Sequence, residues 1–376
     1  MSLILKIKAL RHKAYLAYCR KKPLQKNKIL MWSDNFKSFG CSPKYIALYL
    51  AEHFPGKYDL VWVLERDRPV PQGMPEGIRI VRYFSMDYLK EIATAKVIIC
   101  NHRTTQYHYF KKRKGQFYIQ TWHSSLRLKK IEGDAPDLGK KYIDQARQDS
   151  TKIDLLLSGC GFSSDIFRRA FWYNGELFEH GTPRCDNFFG DNKKVREKVF
   201  SFYGIPENRK LALYAPTFRK DKKASLYGMD FAMLGAKLGS DWVMGCRLHP
   251  NITAEIRDDH CISMSRYPDM QELLIACDLL ITDYSSSMFD MAVAGKRCAL
   301  FLPDLEQYKA QERGLYFDIE ALPFPRAQTM EELCSCVTDF EEYESRCNAF
   351  LKEIGSFEDG NAAASLAKRI EEVCYG

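Results

Sequence analysis

The chain of 376 residues has no acidic side chain before Asp34. It also lacks paired cysteines: among 13 there is no C-x-x-C pair, and the closest are Cys334 and Cys336. That argues against a zinc ribbon and a disulfide scaffold, and the expected compartment is the reducing cytosol. Cys100, Cys246 and Cys277 lie within apolar runs and read as small core residues. No apolar run reaches the roughly 18 residues of a membrane-spanning helix. The start shows no long apolar segment with a small-residue cleavage site, so no secretory signal is expected. G-x-G-x-x-G and G-x-x-x-x-G-K-[ST] are both missing, so neither a dinucleotide fingerprint nor a P-loop is supported. No repeat and no low-complexity tract occurs, which excludes solenoids and disordered chains.

What is present is a globular composition, 46% hydrophobic and 13% aromatic. At roughly 150 residues per domain, the length suggests two domains. The net charge of +8 is unevenly placed. Met1 to Lys28 holds nine basic residues and no acid, and the remainder is balanced at 47 basic against 48 acidic. The chain therefore reads as a near-neutral body with a basic front end. In that front end Leu3, Ile7, Leu10, Ala14 and Tyr18 recur at helical spacing, flanked by Lys6, Lys13 and Arg20. A basic amphipathic helix suits an anionic membrane surface, where each charge contributes about 1 kcal/mol. A helix packed on its own domain is the plainer reading. Nucleic acid is not expected as a partner, because the body lacks the aromatic and basic interleaving of RNA-binding modules.

From Lys28 onward, strands and helices alternate. Ile29–Ser33, Asp59–Leu64, Ile78–Val81, Lys96–Cys100, Phe117–Gln120, Ile153–Leu157 and Glu176–Glu179 read as strands. Pro43–Phe54 and Tyr88–Ala95 read as helices. The turn-rich stretch Gly181–Lys194 is the expected inter-domain linker. A second series follows, with strands at Lys210–Ala215, Asp241–Arg247, Asp278–Thr282 and Arg297–Leu302. Its helices are expected near Phe231–Leu238, Met270–Ala276 and Met288–Ala294, and Met330–Tyr375 reads as helical with a break at Gly355. Strands apolar on both faces, interleaved with helices, indicate parallel sheets covered on both sides. The expected fold is α/β: two doubly wound, Rossmann-like domains facing a cleft. Ligands in such sheets bind beyond the carboxyl ends of the strands.

Four strand ends offer chemistry. Asp278–Asp290 runs from a strand into Ser285, Ser286 and Ser287 at a helix start, where hydroxyls and free amides could cradle phosphate. An ordinary serine cap is the equal alternative. Arg247 and His249 fall on one side of the pleat after a strand, and both can hold phosphate. Leu213–Arg219 is a third strand end carrying an Arg. In the first domain Trp122 and His123 emerge after a strand, followed by Ser124, Ser125 and basic residues. A histidine facing a cleft can act as general base, although a lone one is more often a structural hydrogen-bonder.

In order, Thr121–His123 with Lys129 and Lys130, Gly181–Asp186, Leu213–Arg219, Arg247–Pro250 and Leu280–Asp290 resemble one family. It is the bacterial CDP-glycerol glycerophosphotransferases, the teichoic-acid primases and polymerases and their capsule-building relatives. Their pattern reads T-W-H-G-T-P-L-K-K, G-x-P-R-x-D, L-Y-A-P-T-W-R, R-x-H-P and L-I-T-D-Y-S-S-x-x-F-D. Ser356–Ala364 resembles the family's D-G-x-A-S tail. The resemblance implies a GT-B-like architecture, with acceptor domain 28–186, CDP-alditol domain 187–354, and flanking helical segments 1–27 and 355–376. The last helix would pack back on the first domain.

The resemblance also implies transfer of an alditol phosphate from CDP-glycerol or CDP-ribitol to a hydroxyl of a lipid-linked glycan, releasing CMP. The enzyme would sit at the cytoplasmic face of the membrane. His123 would be the base and His249 the second essential histidine. Pro216, Thr217, Arg247, Ser285 and Ser286 would hold the donor, with Arg184 and Asp290 nearby. Thr121, Trp122, Ser124, Ser125 and Arg219 complete the expected substrate-binding set. No metal-ligand cluster is seen, so no tightly bound cofactor is expected and any Mg²⁺ would arrive with the substrate.

There are departures. Ser124-Ser125-Leu126 replaces Gly-Thr-Pro, the Lys pair lies one residue further along, and Phe218 replaces Trp. The chain also lacks the large extra N-terminal region of the long polymerases and so looks more like the primase or single-transfer members. A GT-B glycosyltransferase using a nucleotide sugar and a non-catalytic nucleotide-binding subunit are the two alternatives.

Overall fold

The computed structural model describes residues 3–105, 110–136, 138–217, 227–248, 256, 258–311 and 314–376. Two parallel sheets organise them. The first contains β1 (Gln25–Trp32), β2 (Asp59–Leu64), β3 (Ile78–Arg82), β4 (Ala95–Cys100), β5 (Phe117–Gln120), β6 (Leu155–Leu157) and β7 (Glu176–Phe178). Their spatial order is β3-β2-β1-β4-β5-β6-β7. The second contains β8 (Lys210–Ala215), β9 (Trp242–Cys246), β10 (Ile262–Ser263), β11 (Leu279–Thr282), β12 (Arg297–Phe301) and β13 (Arg326–Ala327), in the order β10-β9-β8-β11-β12-β13. Each sheet reverses direction of growth once, between β1 and β4 and between β8 and β11. Those are the switch points where doubly wound sheets open a crevice.

The apolar runs explain the layering. In β2, Val61 and Val63 face one core while Leu60, Trp62 and Leu64 face the other. The helices Cys41–His53 and Ala362–Tyr375 cover one face of the first sheet, and Met86–Thr94 and Gly161–Ala170 cover the other. Leu366, Ala367, Ile370 and Cys374 of the final helix complete the first domain's core. That helix follows the second domain in sequence and crosses back. Asp186 receives it, accepting hydrogen bonds from the amides of Ala362 (3.1 Å) and Ala363 (2.7 Å).

Several expectations change in detail. Gly181–Lys194 joins the two sheets, but it is no loose linker. It folds into the helix Pro183–Asp186, a 3-10 turn Asn187–Phe189 and the start of the helix Asn192–Tyr203. Pro183 occupies the first helical turn, where its missing N–H costs nothing. The front end is also not a free-standing helix with a single stripe. Leu3–Cys19 is helical, and His12, Tyr15, Leu16 and Cys19 turn toward the body. Leu10, Ala14 and Tyr18 face solvent, so apolar residues lie on both sides. Lys28 is not a surface charge: it is buried in β1, paired with Glu91 and donating to Thr94 Oγ1 at 3.1 Å.

The two domains are joined by several contacts. Lys130 N donates to Gly314 O and Tyr316 N to Leu128 O, both at 2.8 Å. Leu126 and Leu128 insert into the core of the second domain. Phe162 stacks on Phe317 with ring centroids 4.6 Å apart. Lys44 Nζ, from the first domain, lies 2.5 Å from Asp269 and 2.9 Å from Glu272 of the second.

Candidate active site

The strand ends of both sheets meet at a cleft of about 340 Å³. From the first domain it is lined by Asp34, Ser38, Gly40, Cys41, His123 and Arg184. From the second come Pro216, Thr217, Arg247, Asp269, Gln271 and Ser285 to Ser287. Sequence-expected residues from five separate motifs therefore converge.

His123 is three residues beyond β5 and is exposed to the cleft. Its Nδ1 lies 3.2 Å from the carbonyl of Asn101. A carbonyl only accepts, so Nδ1 carries the proton and Nε2 keeps its lone pair. The ring is held between Trp122 (centroids 4.3 Å) and His102 (5.0 Å, nearly parallel). Its depth in the cleft lowers its pKa well below 6.5, and His102, Arg127 and Arg184 add to that against the Asn101 hydrogen bond. A neutral imidazole with a free Nε2 is the form a general base requires.

Thr121, Trp122, Ser124 and Ser125 were expected to touch substrate. The structure instead buries them around His123, and they do not line the cleft. Thr121 Oγ1 donates to Trp122 O at 2.9 Å, and Trp122 packs edge-on against Phe171. Trp122 has φ of 51°, a left-handed conformation that turns the chain sharply before His123. Ser125 meets Glu358 of the C-terminal tail, and its carbonyl accepts from Ser163 Oγ at 2.7 Å.

Arg184 reaches the cleft wall, but its guanidinium is engaged. One nitrogen donates to the carbonyl of His123 and another pairs with Asp290. Burial opposes the charge on Arg184, and the Asp290 carboxylate outweighs it and holds the guanidinium protonated. Asp290 also accepts from Gln271 Nε2 at 3.1 Å. These two residues tie the His123 main chain to the second domain and do not form an open phosphate site.

In the second domain, Asp283 organises the cleft wall. Its carboxylate accepts from the amide of Thr217 at 2.9 and 3.0 Å and from that of Tyr284 at 2.6 Å. The turn after β8 is thereby fixed beside the serines after β11. Ser286 precedes the helix Ser287–Val293 and makes no side-chain capping bond. Ser285 Oγ lies 2.9 Å from Ser287 Oγ. Ser285 Oγ also accepts from the Ser287 amide at 3.3 Å, so the plain capping reading fits Ser285 and not Ser286. Arg247 lines the cleft and donates to the carbonyls of Tyr267 and Met264. His249 and Arg219 lie outside the described residues. Among the described residues, no group of three or more His, Cys, Asp or Glu side chains is gathered as metal ligands would be.

Asp34, Asn101, His102 and Asp283 were not singled out from sequence. Asp283 had a signal, since it lies within the T-D-Y-S-S stretch. Asn101 and His102 are neighbours in sequence, but Asp34 joins them only when β1 and β4 pair.

His123 of one doubly wound domain thus faces a hydroxyl-rich, Arg-bearing wall of the other across one cleft, the two-domain arrangement that the resemblance implies. Residues 14–372 match the family described as CDP-glycerol:poly(glycerophosphate) glycerophosphotransferase, and the chain belongs to that family.

A teichoic acid poly(glycerol phosphate) polymerase of Bacillus subtilis (strain 168) is 30% identical over 87% of this chain. The match spans only 45% of that protein, so the chain covers less than half of its length. A teichoic acid glycerol-phosphate transferase of Staphylococcus aureus (strain NCTC 8325 / PS 47) is 29% identical, with 92% of this chain and 93% of that protein covered. A solved structure of the wall teichoic acid polymerase TagF superposes with a TM-score of 0.87 at 26% identity, covering 99% of this chain and 95% of that one.

Proposed function

We propose that the protein transfers glycerol phosphate from CDP-glycerol to a hydroxyl of a lipid-linked glycan, releasing CMP, in teichoic-acid or capsule synthesis. The observation that carries this reading is the neutral His123 ring. Its free Nε2 shares one cleft with Thr217, Arg247, Ser285 and Ser286. The acceptor oxygen attacks the glycerol-bearing phosphorus in line as the bond to the CMP oxygen breaks. Nε2 takes the hydroxyl proton, a contribution of typically about 10²–10⁴-fold. Ser285, Ser286 and the Thr217 turn hold the pyrophosphate, and Arg247 offsets its charge. The resemblance adds His249 to that side. Any Mg²⁺ would come with the donor.

CDP-glycerol is favoured over CDP-ribitol by the family's description and by a TagF structure soaked with CDPG. A ribitol-phosphate polymerase of Bacillus spizizenii (strain ATCC 23059 / NRRL B-14472 / W23) is also 26% identical, over 96% of this chain. Purified protein should release CMP from CDP-glycerol with a lipid-linked acceptor, and His123→Ala should lose at least about a hundredfold with its fold intact. Nucleotide release from UDP- or GDP-sugars alone would make it a glycosyltransferase. Tight CDP-glycerol binding without turnover would make it a binding subunit.

The acceptor's lipid explains the outer face of Leu3–Cys19. Leu10 and Tyr18 are exposed there among Lys8, Arg11 and Lys13. Among the described residues no helix is long and apolar enough to cross a membrane. The helix lies on the anionic surface and places the cleft beside a membrane-bound acceptor. Leu10→Glu with Tyr18→Glu should abolish sedimentation with phosphatidylglycerol vesicles, and unchanged binding would refute this placement.

A further inference from the structure

The base has a support that its own motif does not contain. Asn101 directly follows β4, and Asp34 lies two residues beyond β1. The two strands are neighbours, with Trp32 opposite Cys100, so both residues stand at the switch point of the first sheet. Asn101 is fully buried and its amide is spent locally. Its Oδ1 accepts from Asp34 N at 2.9 Å, and its Nδ2 donates to Asp34 Oδ1 at 3.0 Å. The same Oδ1 lies 2.7 Å from His102 Nδ1, the ring that stacks on His123. The carbonyl of Asn101 then accepts the hydrogen bond from His123 Nδ1–H at 3.2 Å. Asp34 thus reaches the base along two short routes, one through the Asn101 main chain and one through His102.

The turn that delivers Asp34 is strained. Asp34, Asn35 and Phe36 have φ of 49°, 55° and 69°, three consecutive non-glycine residues in the left-handed region. Such conformations persist only where the surroundings over-determine them, and they gather at functional sites. Ser38 Oγ donates to Asp34 Oδ2, and Phe36 N to Ser33 O at 2.8 Å.

The second domain repeats the device. Asp283 directly follows β11, and Thr217 lies two residues beyond β8. The Thr217 amide donates to the Asp283 side chain at 2.9 Å, as the Asp34 amide does to Asn101. One copy braces the donor-side turn and the other stands behind the base.

We propose that Asp34 is a positioning residue for His123: through Asn101 it fixes the ring with its proton on Nδ1 and Nε2 left for the acceptor. The proposal rests on His123 as base, and its first readout does not use catalysis. In full-length protein labelled with ¹⁵N-histidine and free of substrate, His123 should show a protonated Nδ1 and a lone pair on Nε2. Asp34→Ala should mix or reverse the two tautomers.

With CDP-glycerol and acceptor, kcat of Asp34→Ala should fall about 10²-fold, the scale of a small misplacement, with KM for both substrates nearly unchanged. Asp34→Asn keeps an oxygen toward Asn101 Nδ2 and should restore most of the rate. Ser38→Ala releases one Asp34 oxygen and the 3.0 Å contact to Ser33 Oγ while keeping Asp34 itself, so it should move both readouts the same way by less, and it serves if Asp34→Ala does not fold.

An unchanged tautomer with unchanged kcat overturns the proposal. A raised acceptor KM with kcat intact also overturns it, because Asp34 would then contact the acceptor directly. If His123→Ala stays active, the base assignment fails on its own, and the tautomer still decides the role of Asp34.

Discussion

Arg127 is 4% exposed, and among the described residues none of its three side-chain nitrogens has a hydrogen-bond partner. Its guanidinium lies over the Phe167 ring at 4.4 Å. Burial lowers its pKa to about 10, so it stays charged at neutral pH. It falls in the loop that carries one residue more than the related motif. A buried cation without a counter-ion costs several kcal/mol, and an apolar side chain of similar volume is usually neutral or stabilising by about 1–4 kcal/mol. Arg127→Met is therefore expected to hold or raise Tm, and a fall would mean that Arg127 has a partner. The same residue helps to keep His123 neutral. Because the pKa of the base is lowered, its neutral form persists as pH falls below 6.5. The acid limb of kcat/KM against pH should lie below 6.5 in the native protein and move up toward it in Arg127→Met.

Among the elements, the C-terminal tail shows how side-chain environment couples to pH. Glu358 accepts from the amide (3.0 Å) and hydroxyl (2.8 Å) of Thr182, yet burial raises its pKa to about 7. Burial likewise raises Asp186, the cap of the final helix, to about 6. Both carboxyls bind protons more readily folded than unfolded, so they favour folding below the ordinary carboxylate range and lose that contribution as pH rises through 6 to 7. Stability from this pair should fall between pH 5 and pH 7.5, about the span of the two shifts. Glu358→Gln should flatten that slope in thermal melts, and an unchanged slope would assign it elsewhere.

Elements of this kind differ in how legible they are. Asp59–Leu64 and Phe117–Gln120 were delimited correctly because their runs are apolar on both faces and end at polar turns. Ile262–Ser263 and Arg326–Ala327 were missed, since two residues carry no period. His123 and the serines after β11 were legible as strand ends. Asn101, His102 and Asp34 were not, because their value comes from the pairing of β1 with β4 and not from local spacing.

For the whole molecule, the closed cleft depends on ion pairs that cross it. Lys44 is 8% exposed and faces Asp269, which also accepts from Tyr45, and Glu272, which also pairs with Lys198. Removing one partner of a buried pair typically costs about 3–5 kcal/mol, because the other charge stays buried. Lys44→Met should lose stability on that scale in denaturant titration, and solution scattering should show a wider separation of the two domains. Unchanged stability would mean that the pair is incidental.

The returning helix has a consequence for synthesis. Leu366, Ala367, Ile370 and Cys374 fill the first domain's core, yet they leave the ribosome after the whole second domain. The nascent first sheet therefore waits with one apolar face covered only in part, by Cys41–His53, while the second domain completes its own sheet. The half of the protein that is made first is the half that finishes folding last.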